Sequence, residues 1–116
     1  MKYAMVIVKV NDEWKPLSEI EREFDSVVRW WADLRARGKI VSAVQLGPPR
    51  EVASVSWRGG APIVTDGPYV EAKETVGGFV LLDVESAAEA TEIAASWPHR
   101  PGIRIEVRPA VEDPYG

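Results

Sequence analysis

The stretch Tyr3-Ala4-Met5-Val6-Ile7-Val8-Lys9-Val10 decides how this chain folds. It is a near-continuous apolar, β-branched run, as expected of a strand covered on both faces. As an N-terminal apolar run it is also too short for a signal peptide or a membrane span. The segment Gly78 to Val84 has the same character. In the first run Val6, Val8 and Val10 oppose Ile7, and in the second Val80 and Leu82 oppose Phe79 and Leu81, so each strand needs apolar cover on two sides.

Between these strands the pattern changes period. Asn11 to Pro16 is a polar connection, and Ser18 with Glu21 three residues on forms a capping box. Leu17, Ile20, Phe24, Val27, Val28, Trp31 and Leu34 then recur at spacings of three and four, the stripe of an amphipathic helix. Arg35 and Arg37 supply a basic last turn, and Gly38 a left-handed stop. Lys39 to Leu46 reads as a second strand ended by Gly47-Pro48-Pro49, and Glu51 to Trp57 as a third. Arg58-Gly59-Gly60-Ala61 is a hairpin turn into Pro62-Ile63-Val64. Ser86 and Glu89 open a second helix whose buried side is Ala87, Ala90, Ile93, Ala94 and Trp97, stopped by Pro98. The last strand, Ile103 to Arg108, alternates Ile103, Ile105 and Val107 against Arg104, Glu106 and Arg108.

This order predicts a single domain over residues 1–111 with a short tail at 112–116, an α+β sandwich of the ferredoxin-like kind with both helices on one sheet face. Two helices cannot cover two faces. The economical cover for the second face is the same face of another copy, which predicts a homodimer.

Composition narrows the function. With 116 residues, a second core has no room. A net charge of −4, with bases and acids interleaved, leaves no electrostatic stripe for nucleic acid. The absence of cysteine removes thiol nucleophiles, disulfides and thiolate metal sites, and the single histidine, His99, excludes a multi-histidine metal centre within one subunit. Neither a metal nor a cofactor is expected, and a cytoplasmic protein without membrane association is the default.

The chemistry concentrates in Val64-Thr65-Asp66-Gly67-Pro68-Tyr69-Val70-Glu71-Ala72-Lys73-Glu74-Thr75-Val76-Gly77-Gly78-Phe79, which packs a turn, an acid-base-acid cluster and a glycine pair between two strands. This series, together with Ile105-Glu106-Val107-Arg108-Pro109, resembles the YCII-related superfamily, in the branch named for its Asp-Gly-Pro-Phe motif. Tyr69 stands at the phenylalanine position. The resemblance covers almost the whole chain and implies a dimeric α/β barrel of uncertain biochemical role. Its relatives sit near dehalogenating and lactone-processing enzymes, and members of the branch are often associated with extracytoplasmic-function sigma factors. A histidine on the first helix and an aspartate before a proline form a proposed acid-base pair in the smaller branch. The corresponding places here hold approximately Val27 and Trp97, so that pair does not carry over.

The candidate groups therefore have to be weighed on their own. Asp66 is either a turn residue accepting backbone hydrogen bonds or, if partly buried, a general base. Glu71 and Lys73, two apart, share a face in an extended segment and either anchor a polar substrate or form a surface pair. His99, in the loop Pro98-His99-Arg100-Pro101-Gly102, is either incidental or the acid-base partner of Asp66. Arg104, Glu106 and Arg108 either line a cleft for an anion or pair across strands. Gly77-Gly78 is a bulge at a strand start, while Trp30, Trp31 and Trp57 are aromatic anchors of a core or interface.

Two functional expectations follow. One is a small-molecule-binding dimer using Asp66 and His99 as acid-base groups and Glu71, Lys73 and Arg108 as substrate-binding groups, for elimination, isomerisation or hydrolysis. The other is a non-catalytic regulatory module with a sigma-factor-related partner. The enzyme expectation requires an enclosed pocket of roughly 300 Å³ or more in which at least two of the ionisable groups converge.

Overall fold

The computed structural model describes residues 1–9, 25–47, 52–66, 74–98 and 102–111. Its elements are β1 (Lys2–Lys9), α1 (Asp25–Ala36), β2 (Ile40–Gln45), β3 (Ala53–Arg58), β4 (Ala61–Asp66), β5 (Thr75–Asp83), α2 (Ala87–Ala95) and β6 (Ile103–Pro109). β1, β2, β5 and β6 form an antiparallel sheet in the order β2-β5-β1-β6, and β3 and β4 form a separate two-stranded sheet. The result is a mixed α+β fold compatible with the ferredoxin-like expectation, with a hairpin inserted between the second and third strands of the main sheet.

Strand register explains which residues meet the helices. Tyr3, Leu82 and Ile40 stand in one row across the sheet, and Met5, Val80 and Ala43 in the next. Met5, Ile7, Val80 and Leu82 are at most 1% exposed, packed under Trp30, Trp31 and Leu34 of α1 and under Ala90, Ile93 and Trp97. Trp30, Trp31 and Trp97 meet edge to face at centroid separations of 4.9 to 6.0 Å, tying the two helical segments together. The Trp30 indole N–H donates to Ser96 Oγ at 2.8 Å, so its polar edge is satisfied inside the cluster.

The helix ends follow their sequence signals. After α1, Gly38 adopts φ +68°, its N–H bonds the Arg35 carbonyl and the Lys39 N–H bonds the Leu34 carbonyl, the paired closure of a Schellman motif. Before α2, the extended Ser86 accepts from the Glu89 N–H at 3.1 Å, while the Glu89 carboxylate pairs with Lys39 at 2.7 Å. The Ser18–Glu21 box lies outside the described residues.

Several expectations need correction. Val28 is exposed, because the inward centre of α1 falls between Trp31 and Leu34, leaving Val28 roughly 90° away at 100° per residue. Ala87 is exposed at the first turn of α2. β4 continues to Asp66, two residues past the expected end, and β5 begins at Thr75, three residues before the expected start. That longer β5 absorbs the glycine pair: Ile7 pairs with Gly78 and Val8 with Val76, leaving Gly77 as the bulge read from sequence.

The opposite face of the main sheet carries a second apolar surface. Val6, Phe79 and Val44 form one row there, with Ala4 and Leu81 in the next. No helix among the described residues packs on it. Phe79, Val44 and Val76 are exposed, and β6 edges the surface with Arg104, Glu106 and Arg108. Among the described residues no helix is long and apolar enough to cross a membrane.

Candidate functional site

A half-open cleft of about 180 Å³ lies between α1 and the β2–β5 strands, lined by Trp31, Arg35, Ala43, Val44, Gln45, Phe79 and Val80. Its geometry follows from two local rules. Trp31 and Arg35 are four apart on α1 and so share a face, with the Arg35 guanidinium carbon 5.2 Å from the Trp31 ring centroid. β2 pairs only with β5, so the cleft opens at the sheet edge. The floor is set by the Ala43–Val80, Val44–Phe79 and Gln45–Gly78 register.

The cleft combines a permanent cation, an aromatic wall and an apolar floor. Such a surface suits a small anion with a flat or aliphatic body, since a guanidinium presents forked N–H donors to a carboxylate. Trp31 is buried, and its indole N–H has no acceptor among the described residues.

A second polar cluster sits on the edge strand β6. Arg104 grips Glu74 through both carboxylate oxygens, at 2.5 and 2.9 Å, and reaches Glu106 at 2.8 Å. The hydrogen bonds from Arg104 hold the Glu74 carboxyl below its ordinary range, and the two carboxylates push the Arg104 guanidinium still higher. This is the structural alternative for Arg104 and Glu106: charges that neutralise each other in place. At the far end of β1, Lys2 and the N-terminal amine both approach Asp83, and Lys2 chiefly lowers that carboxyl.

The residues singled out from sequence are placed as follows. Asp66 is the last residue of β4, exposed, paired in register with Ala53 at the base of the hairpin. Arg108 is exposed on the outer sheet face opposite Ala4. Neither lines the cleft. Glu71, Lys73 and His99 lie outside the described residues. The expected pocket of roughly 300 Å³ with two of these groups converging is not found among the described residues. The cleft present there is smaller and draws its charge from Arg35. Sequence reading had assigned Arg35 to the helix dipole. Its spacing of four from Trp31 is the available signal, but only the fold reveals that α1 and the edge strand β2 line one cleft.

Comparison with known proteins adds identity to this geometry. The profile of the YCII-related domain matches residues 1–110. The chain belongs to the YCII-related family. An uncharacterized protein of Rhizobium meliloti (strain 1021) is 33% identical over 99 residues, covering 81% of this chain and 77% of that protein. The YCII-related match thus takes in every described element, from β1 through β6.

Proposed function

We propose that this YCII-related protein is a homodimer that binds a small organic anion in the cleft beneath α1. The Asp66-Gly67-Pro68-Tyr69 motif supports placing it in the Asp-Gly-Pro-Phe branch. The observation that carries the ligand reading is the cleft itself: one arginine laid over one tryptophan above an apolar floor. At about 180 Å³ it falls below the roughly 300 Å³ of drug-sized pockets, so the ligand is metabolite-sized. A carboxylate takes the Arg35 N–H donors, and an aryl or short alkyl body lies against Trp31 and Ala43.

The homodimer rests on the second apolar face, which sheet-to-sheet contact with another copy covers, giving a barrel across the twofold axis. Any acid-base turnover by Asp66 and His99, with Glu71, Lys73 and Arg108 as polar contacts, belongs to a site apart from this cleft, which Asp66 and Arg108 do not line. An exposed carboxylate is a weak general base at neutral pH.

The test is titration with benzoate and phenylacetate, followed by tryptophan fluorescence and calorimetry. Millimolar or tighter binding is expected, weakened about 10- to 100-fold in Arg35→Ala, the value of a charge-assisted hydrogen-bonded pair. Binding that survives Arg35→Ala unchanged, or no binding by either probe, contradicts the cleft as the site.

A further inference from the structure

Gln45 is the side chain of the cleft whose chemistry the anion reading leaves unused. Of the seven lining residues, Arg35 alone is charged and Gln45 alone carries a carboxamide. The indole N–H of Trp31 is buried away from the surface. The two polar groups come from different elements, Arg35 from α1 and Gln45 from the last position of β2. Ala43, two residues earlier, shares the strand face of Gln45 about 7 Å along the floor. In the register Gln45 stands opposite Gly78, which brings no side chain against the amide, whereas Ala43 meets Val80 and Val44 meets Phe79. A carboxamide offers two N–H donors and an acceptor oxygen, so a Gln45 amide engaged on one side keeps hydrogen-bonding capacity for a ligand. The charge of Arg35 also differs from that of Arg104. Arg104 is held between Glu74 and Glu106, while among the described residues no carboxylate pairs with Arg35. The cleft therefore presents one full positive charge and one neutral donor-acceptor.

We propose that Gln45 is the specificity-determining residue of the cleft, and that the ligand class is the hydroxylated aromatic monocarboxylate. The carboxylate sits on Arg35, the ring lies along Trp31 and Ala43, and the hydroxyl meets the Gln45 carboxamide. This inference rests on the cleft being the anion site. A phenol is un-ionised at neutral pH, and its hydroxyl both donates to an amide oxygen and accepts from an amide N–H. The parent acid without the hydroxyl lays ring carbon against the amide, which then loses hydrogen bonds to water without replacement. A second carboxylate in that place fares worse, because it is desolvated with no further counter-charge among the lining residues. The order of preference is hydroxy acid, parent acid, diacid. A site that hydrogen-bonds a ligand hydroxyl rejects the analogue lacking it more sharply than an apolar wall discriminates size.

Calorimetric titration of the full chain with 4-hydroxybenzoate, 3-hydroxybenzoate, benzoate and terephthalate at pH 7 tests this in wild type, Gln45→Leu and Arg35→Ala. One of the two hydroxybenzoates is expected to bind about 3- to 10-fold tighter than benzoate, the worth of one neutral hydrogen bond. Terephthalate binds more weakly than benzoate. Gln45→Leu, at an exposed position of the edge strand, erases the hydroxyl preference and leaves benzoate affinity essentially unchanged. Arg35→Ala weakens all four acids together. Near-UV dichroism of the Trp30–Trp31–Trp97 cluster confirms that each variant is folded. Benzoate binding that depends on Arg35, with no hydroxyl preference or with one that survives Gln45→Leu, overturns the role of Gln45 and leaves the anion site standing. Terephthalate bound as tightly as benzoate overturns the monocarboxylate class. No binding of any of the four acids overturns both readings.

Discussion

The main sheet and the β3–β4 hairpin are both antiparallel, both twisted from ordinary strand residues, and both apolar on at least one face. They differ in where the cover lies. β1 and β5 turn Met5, Ile7, Val80 and Leu82 toward helices of their own chain, and those side chains vanish from solvent. β3 and β4 leave Val55, Trp57 and Val64 exposed and outside the buried cluster of the described residues. Pairing and register are local decisions, made by a Gly-Gly turn and alternating residues. Burial is a long-range decision, and the described elements make it for one face of the main sheet but not for the hairpin's apolar face.

The largest expected effect lies on the covered side. Leu82→Ala, at a fully buried site, costs about 2–5 kcal/mol and lowers the melting temperature by more than about 10 °C. Val64→Ala measured on dilute protein stays within about 0.5 kcal/mol of wild type, because an exposed valine leaves no cavity. Thermal melts of the two variants side by side measure the contrast directly.

A middle-sized effect separates the turn from the core. Gly60→Val forces a β-branched residue to φ +82°, a cost of about 1–3 kcal/mol confined to the hairpin. Faster amide exchange across Ser54–Trp57 and Ile63–Thr65, with the β1 and β5 amides unchanged, is the expected outcome. A lower melting temperature for the whole molecule shows instead that hairpin and sheet are coupled within one chain.

Asp66→Ala sharpens the comparison at the hairpin base. The side chain is exposed and forms no ion pair with a described residue, so stability changes by less than about 0.5 kcal/mol. A marked fall in melting temperature returns Asp66 to a purely structural turn role.

The smallest effect is electrostatic. Arg104 depresses the Glu74 carboxyl, so the folded state binds that proton less readily than the unfolded chain. The resulting stability is complete above the ordinary carboxyl range and is lost as pH falls through the depressed folded value. Both groups are on the surface, so Glu74→Gln flattens the acid limb of the melting profile only slightly and leaves neutral pH almost untouched.

The sheet and helices were legible in sequence because their signals are local. Gly38, the Ser86–Glu89 cap, the Gly77 bulge and the Gly59–Gly60 turn each state their geometry within a few residues. Val28 was misplaced because a stripe of threes and fours leaves the rotation of its centre open until the helix meets its sheet. The site was harder to read. Asp66 and Arg108 look chemical in sequence, yet they stand on separate sheets, with no ion pair between them. Arg35 looks like a helix terminator, yet it lines a cleft, because the place of β2 at the end of the described strand order is a property of topology rather than of any one residue.

Amide hydrogen exchange on the main sheet and the hairpin at two protein concentrations tests the central claim, a second copy on the outer sheet face, most directly. The account predicts that the Val44, Val76 and Phe79 amides on the outer face of the main sheet exchange more slowly at about 100 µM than at about 1 µM as a second copy covers that face, while the hairpin serves as the uncovered comparison. Exchange of the outer-face amides that is the same at both concentrations contradicts it.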